Sequence, residues 1–304
     1  MTTTAGRDTV HPAPRGLRAL RAQVGTRLFL RVAGPDGAES RERIHGTPGP
    51  RWFPPDAAIR TVHGDASMFV GGLRALLLQS LHPAAMAAVG AHSGYRGDPW
   101  GRLARTSTFL AETVFGTADD AEAAVQRVRA VHARIRGTTP DGIAYAADDP
   151  ELLRWVHVAE IDSFLRAHRR YGVHPLDATR ADEYVAQAAV VGRALGASDV
   201  PTSVAGLAAA IDAFRPVLGP SAAARDAARF LLHEPPVPVS LRAGYLGLAR
   251  AAVASLPAWA VEDLGLRAPG PARRRLDEAA GAAATRTIRW LLAAGEPAGG
   301  APAR

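Results

Sequence analysis

From Asp56 onward the chain is punctuated as a succession of helices, and this constrains its fold more than any other feature. Asp98-Pro99 and Asp149-Pro150 each pair an N-cap acid with proline at the first helical position, where the missing N–H costs nothing. Gly116, Gly137, Gly172 and Gly196 each follow a periodic apolar run, as helix-ending glycines do. Thr117 followed by Asp119 and Asp120 reads as a cap with a negatively charged first turn. Helices are expected over 98–116, 117–137, 149–172, 180–196 and 201–214, with three more around 221–232, 239–255 and 271–294. No stretch of β-branched residues alternates with period two, and no repeat has solenoid length. The expected architecture is all-α, a single domain of about ten helices over residues 55–294. An N-terminal arm over 1–54, with one short helix near Gly16–Val24, and a disordered tail over 295–304 complete it.

Composition removes several chemistries. The 304 residues include no cysteine, so there is no disulfide scaffold, cysteine zinc site, thiolate-ligated haem or cysteine nucleophile. All 36 basic residues are arginine, against 29 acidic ones, for a net charge of +7. Arginine without lysine in an alanine-rich chain reads as a coding bias toward G and C. The arginines are spread out, and only Arg273, Arg274 and Arg275 cluster. A nucleic-acid binder concentrates its charge on one face, so no nucleic-acid partner is expected. The most hydrophobic stretch, Phe69 to Val89, is interrupted by Arg74, His82 and Pro83. It reads as two buried helices broken at His82-Pro83, not as a bilayer span. The first residues show no secretory h-region, so a cytoplasmic location is expected.

Histidine carries the remaining chemical interest. In the helix expected from Thr117, Ala121, Val125, Val128, His132 and Ile135 fall at helical spacing and form one apolar stripe. His132 is then either a core imidazole bonded to a backbone carbonyl, the commoner role, or an axial ligand projecting into an apolar slot. On the preceding helix Arg102, Thr106, Phe109 and Thr113 share one face, with Leu103, Leu110 and Val114 beside them. Arg102 and Thr106, one turn apart, suggest either a polar pocket or a solvated face. His157 lies on a third apolar stripe with Leu153, Ile161 and Phe164. It reads as a core residue or a partner of a bound cofactor. A non-haem metal at His132 and His157 stays open. His82 starts a helix, and His92 lies in a Gly-rich loop. His11, His45, His168, His174 and His233 read as peripheral. Gly71-Gly72 reads as a close-packing site. There is no His-Glu-x-x-His motif, phosphate loop, dinucleotide fingerprint or Gly-x-Ser-x-Gly elbow.

The run GDASMFVGGLRALLLQSLHPAAMAAVGAHSGYRGDPWGRLARTSTFLAETVFG, then VHARIRG, then YAADDPELLRWVHVAEIDSFL, resembles the family of the rubber oxygenase (latex-clearing protein) catalytic domain and the fungal ER-bound oxygenase MpaB. The resemblance covers roughly residues 50 to 260. It implies an all-helical domain with a globin-like core that binds haem b, iron held by His132, with Arg102 and Thr106 in the haem pocket. It implies an oxidoreductase using dioxygen. Two departures stand out. The rubber enzymes have a lysine before that threonine that can occupy the sixth position of the iron. Arg105 stands there, and a guanidinium cannot ligate. They also use a glutamate near the pocket as a base, and before Arg102 only Asp98 is available. The expected function is a haem-dependent oxygenase acting on a small apolar or amphipathic substrate, with Arg102, Arg105 and Thr106 serving the chemistry. The alternatives are a haem- or ligand-binding protein without turnover and an arginine-rich regulator acting on nucleic acid.

Overall fold

The structure, a computed structural model, describes residues 15–92 and 96–294. These form α1 (Arg15–Ala33), α2 (Gly37–Gly46), α3 (Ala58–His63), α4 (Met68–Gln79), α5 (Pro83–His92), α6 (Pro99–Phe115), α7 (Ala118–His132), β1 (Arg136–Thr138), β2 (Ala144–Ala146), α8 (Pro150–Tyr171) and α9 (Ala178–Leu195). There follow α10 (Val204–Phe214), α11 (Ala222–His233), α12 (Arg242–Ala254), α13 (Ala258–Asp263) and α14 (Pro271–Leu292), with 3₁₀ turns at Arg215–Val217 and Val239–Leu241. The all-α reading holds, with fourteen α-helices among the described residues where about ten were expected. The expected tail and the Gly-rich loop over 93–95 lie outside the described residues; His92 itself ends α5.

α8 is the axis of the molecule. Asp149 accepts hydrogen bonds from the Glu151 and Leu152 amides, Pro150 opens the first turn, and the Gly172 amide closes the helix on the His168 carbonyl. Between these ends α8 is buried on most of its circumference and packs on α3, α4, α9, α10 and α14. Two apolar clusters meet along it. One gathers Phe53, Ile59, Val62, Val114, Ile161 and Tyr184, the other Leu77, Leu78, Leu81, Trp155 and Phe214. Burial of such side chains, at roughly 1.5–3 kcal/mol each, is the main favourable term in the fold.

The partnership of α4 with α8 has a fixed register. Gln79 donates to the Val156 carbonyl, Arg74 pairs with Asp162 and Ser163, and Gly71 lies against Phe164. The two helices are therefore antiparallel. A Cβ on Gly71 would stand 2.8 Å from the Phe164 ring and 3.1 Å from its Cα, so the close-packing reading of Gly71 holds. The break at His82-Pro83 is also present, with Pro83 as the first residue of α5.

Two elements depart from the sequence reading. The N-terminal stretch holds a helix of 19 residues, α1, and then α2, in place of one short helix. α1 has no marked apolar stripe and buries only Gly25, where an added Cβ would collide with the Leu291 carbonyl of α14; it is stabilised by packing on α6 and α14. The second departure follows α7, which stops at His132 and not at Gly137. Residues 136–146 turn into an antiparallel hairpin, with Gly137 opposite Tyr145. The Ala147 amide donates to the Ile135 carbonyl, and Gly142 holds φ +85° in the Thr-Pro-Asp-Gly turn, a conformation glycine adopts without strain. Among the described residues no helix is long and apolar enough to cross a membrane.

Candidate active site

α6 and α7 form an antiparallel hairpin whose closed end is well fastened. Asp98 caps α6 by accepting from the Gly101 amide at 2.9 Å. After Gly116, Thr117 and Asp120 make a reciprocal capping box at the start of α7. The buried Glu112 carboxylate receives Arg43 of α2 at 2.6 Å and Arg127 of α7 on its other oxygen. Because the connection is so short, the last turn of α7 returns beside the first turns of α6. Arg102 and Thr106 lie on the first two turns of α6, and His132 is the last residue of α7.

The side chains at this end are less buried than the sequence stripe predicts. α7 buries Ala121, Ala124 and Val125, whereas Val128, His132 and Ile135 are only half-buried. His132 therefore does not sit in the middle of a buried face. It ends the helix where the buried stripe opens, next to the hairpin on which α5 packs. Partial burial lowers the pKa of His132, and the nearby Asp148 charge opposes that shift. Asp148 is itself held by both terminal nitrogens of Arg136, at 2.9 and 3.0 Å. On α6, Thr106 is exposed and its hydroxyl donates to the Arg102 carbonyl at 3.1 Å. Arg105 is exposed and reaches Asp98 at 3.4 Å on the same face, a contact of small energetic weight.

His157 belongs to a different seam. It packs on α9, where a Cβ added to Gly192 would meet its Nδ1 at 2.9 Å. Its Nε2 is buried without a hydrogen-bond partner. Burial, with Arg193 nearby, pushes its pKa down to about 4. His82 is similarly desolvated beside Trp155, and its Nδ1 also lacks a partner.

Two residues that the sequence reading passed over stand out. His63, at the end of α3, packs edge-on against Phe164 with its Nε2 3.4 Å from the Tyr184 hydroxyl. Its Nδ1 has no partner, and burial drives its pKa to about 3. Glu160 lies on α8 between His157 and Phe164. It forms no hydrogen bond or ion pair among the described residues, and desolvation alone raises its pKa to about 7. The signal for Glu160 was available as an acid between Ala159 and Ile161 in the run WVHVAEIDSF, whose other acid is Asp162. Across the seam, Gly72 is half-buried, and a Cβ there would meet no atom within 4 Å. The antiparallel register places Gly72, Leu76 and Glu160 on one side of the α4–α8 contact, the side on which α3 carries His63 and packs on α6.

Among the described residues no group of three or more His, Asp or Glu side chains is placed to hold a metal ion. Concavities of about 500 Å³ beside Trp52 and Gln126, and about 450 Å³ beside Glu42 and Pro48, lie on the outer surface away from these residues. No curated protein and no solved structure matches the chain. Residues 60–290 match the family model described as ER-bound oxygenase mpaB/B'/rubber oxygenase, catalytic domain. Since the match covers well over half of its length, the chain belongs to this family of oxygenase catalytic domains.

Proposed function

We propose that the protein is a haem b-dependent oxygenase that uses dioxygen on a small apolar or amphipathic substrate. The observation that carries this reading is the match to an oxygenase family over a span that holds Arg102 and Thr106 on the first turns of α6 and His132 at the end of α7. The residues fit a haem. Partial burial favours the neutral form of His132, in which one ring nitrogen offers a lone pair to iron. At Gly72 of α4 a Cβ would meet nothing within 4 Å, room of the kind that the close approach of a flat macrocycle needs. Arg102, permanently charged, matches a propionate carboxylate. When bound, the haem iron supplies the activation of dioxygen that side chains alone do not provide.

The chain's own residues do the rest. His132 would hold the cofactor, and the Asp148 carboxylate beside it sustains the basicity of the ring, as an outer carboxylate does for a ligating histidine. The Thr106 hydroxyl proton is engaged by the Arg102 carbonyl, so its oxygen is left to accept a hydrogen bond. Phe109, Leu110 and Val128 line the hairpin with apolar surface that excludes water. Protein expressed with a haem supply is expected to show a Soret band, and His132→Ala to lose both band and haem stoichiometry. Full haem with an unchanged spectrum in that variant refutes the ligand role of His132. Oxygen uptake on addition of substrate separates an oxygenase from a haem carrier.

A further inference from the structure

We propose that Glu160 is the group that binds the polar head of the substrate, and that the substrate is an apolar molecule bearing an uncharged oxygen, such as a long-chain alcohol or ketone. The inference deepens the oxygenase reading and rests on it for the word substrate; the binding site itself stands on geometry. A carboxyl taken out of water is normally ion-paired or hydrogen-bonded. Glu160 has neither among the described residues. It is half-buried, not sealed in, so part of its surface faces space that a ligand can reach. On the same side of the α4–α8 contact stand Gly72, where nothing lies within 4 Å of a Cβ position, and Leu76 one turn along α4.

The neighbours of Glu160 define what fits. His157 Nε2 and His63 Nδ1, on the flanks of the same α8 face, are buried polar atoms without partners. The Tyr184 hydroxyl is engaged with His63. Among the described residues no arginine pairs with Glu160, and its desolvation is unopposed. A carboxylate ligand is therefore disfavoured, as two carboxyl groups without a cation repel when ionised. A hydroxyl or carbonyl oxygen instead exchanges one hydrogen bond with the Glu160 carboxyl at no charge cost, while its chain lies along Leu76 and the apolar face of α6.

The test is equilibrium binding of 1-octanol, 2-octanone, n-octane and octanoate to the purified holoprotein, read by headspace depletion for the three volatile probes and by calorimetry for octanoate. Glu160→Leu is expected to weaken 1-octanol and 2-octanone about tenfold, equivalent to about 1.4 kcal/mol, and to leave n-octane unchanged or tighter. Octanoate is expected to bind more weakly than 1-octanol to the wild type. Infrared spectra at neutral pH should contain a protonated-carboxyl carbonyl band that Glu160→Gln abolishes, a signature that a merely structural residue does not give and that survives if Glu160→Leu fails to fold. Parallel changes in octanol and octane binding, no binding of octanol by the wild type, or a band unaffected by Glu160→Gln each overturn the proposal. Soret absorbance of the same samples keeps the two ideas apart. Absence of haem with Glu160-dependent octanol binding removes the oxygenase reading alone, whereas intact haem with Glu160-independent binding removes this one.

Discussion

Arg74 and Asp162 fix the α4–α8 register, and breaking them one at a time should give unequal losses. Their side chains are 2% and 7% exposed and 2.8 Å apart. At an effective dielectric of about 20, that separation corresponds to a gross attraction of about 6 kcal/mol, most of it offset by desolvation. Arg74 also donates to Ser163 Oγ at 2.7 Å and to the Ser255 carbonyl at 3.1 Å. Both are neutral acceptors, so Asp162→Ala strands a buried cation with no counter-charge. The expected loss is about 3–5 kcal/mol, the range for a buried pair broken on one side. Arg74→Met is milder, because Asp162 keeps its contact with Arg166 at 2.8 Å, and Arg166 is 56% exposed. About 2 kcal/mol is expected there, mainly from the lost hydrogen bonds. The double variant Arg74→Met/Asp162→Leu should lie within about 2 kcal/mol of wild type, because it buries apolar groups in place of charges. Urea unfolding followed by far-ultraviolet circular dichroism measures all four proteins, and equal slopes are needed for the cycle to close. If Asp162→Ala proves no worse than Arg74→Met, or the coupling is below about 0.5 kcal/mol, the stranded-cation argument is wrong.

Adjacent glycines on α4 should respond in opposite senses. Gly71→Ala forces its methyl into Phe164 and should cost about 1–3 kcal/mol as overpacking, whereas Gly72→Ala meets nothing within 4 Å and should gain up to about 1 kcal/mol from helix propensity while weakening haem retention; thermal melts and Soret absorbance read the two effects. Stability should fall on acidification. His63 and His157, with folded values of about 3 and about 4, contribute stability that is intact above the unfolded value near 6.5 and is lost as pH falls toward those folded values. Glu160, raised from 4.5 to about 7, acts oppositely, its contribution being full below 4.5 and lost as pH rises through 7. From pH 6.5 to 4.5 two protons against one leave a net loss of about 1.4 kcal/mol per pH unit, steepening below pH 4.5 once Glu160 drops out. A melting temperature that stays flat from pH 6.5 to 4 would contradict these assignments. Thr117→Ala removes one side of the capping box and should cost about 1 kcal/mol, measured by urea unfolding, with haem content unchanged because the cap lies at the closed end of the hairpin.

Much of the helical frame was legible because local chemistry writes it. Asp98-Pro99, Thr117 with Asp120 and Asp149-Pro150 all cap helices where the sequence placed them, since a side-chain oxygen within three residues of an orphan amide needs no tertiary partner. Gly196 ends α9 at φ +104° for an equally local reason. The end of α7 was misplaced because β1 and β2 claim the residues after His132, and a ladder hydrogen bond depends on a strand that lies eight residues further on. The second half of α1, beyond the short helix expected near Gly16–Val24, escaped for a related cause, as it packs on α14 at the far end of the chain.

The constellation of Arg102, Thr106 and His132 could be named from motif and spacing, and their common end of the hairpin follows from the short turn at Gly116-Thr117. How buried each one is could not be read in the same way. A helical wheel gives the face on which His132 or Glu160 lies, but not which neighbour covers that face. The α4–α8 register, set by Arg74, Gly71 and Gln79 across a gap of more than seventy residues, decides that Gly71 is closed and Gly72 open. It also decides that Glu160 has no partner. The sequence by itself determined the helices, their caps and the residues capable of chemistry, because those depend on interactions within a turn or two. Only the tertiary structure decided desolvation, because dielectric environment belongs to the packing of distant segments and not to any one of them.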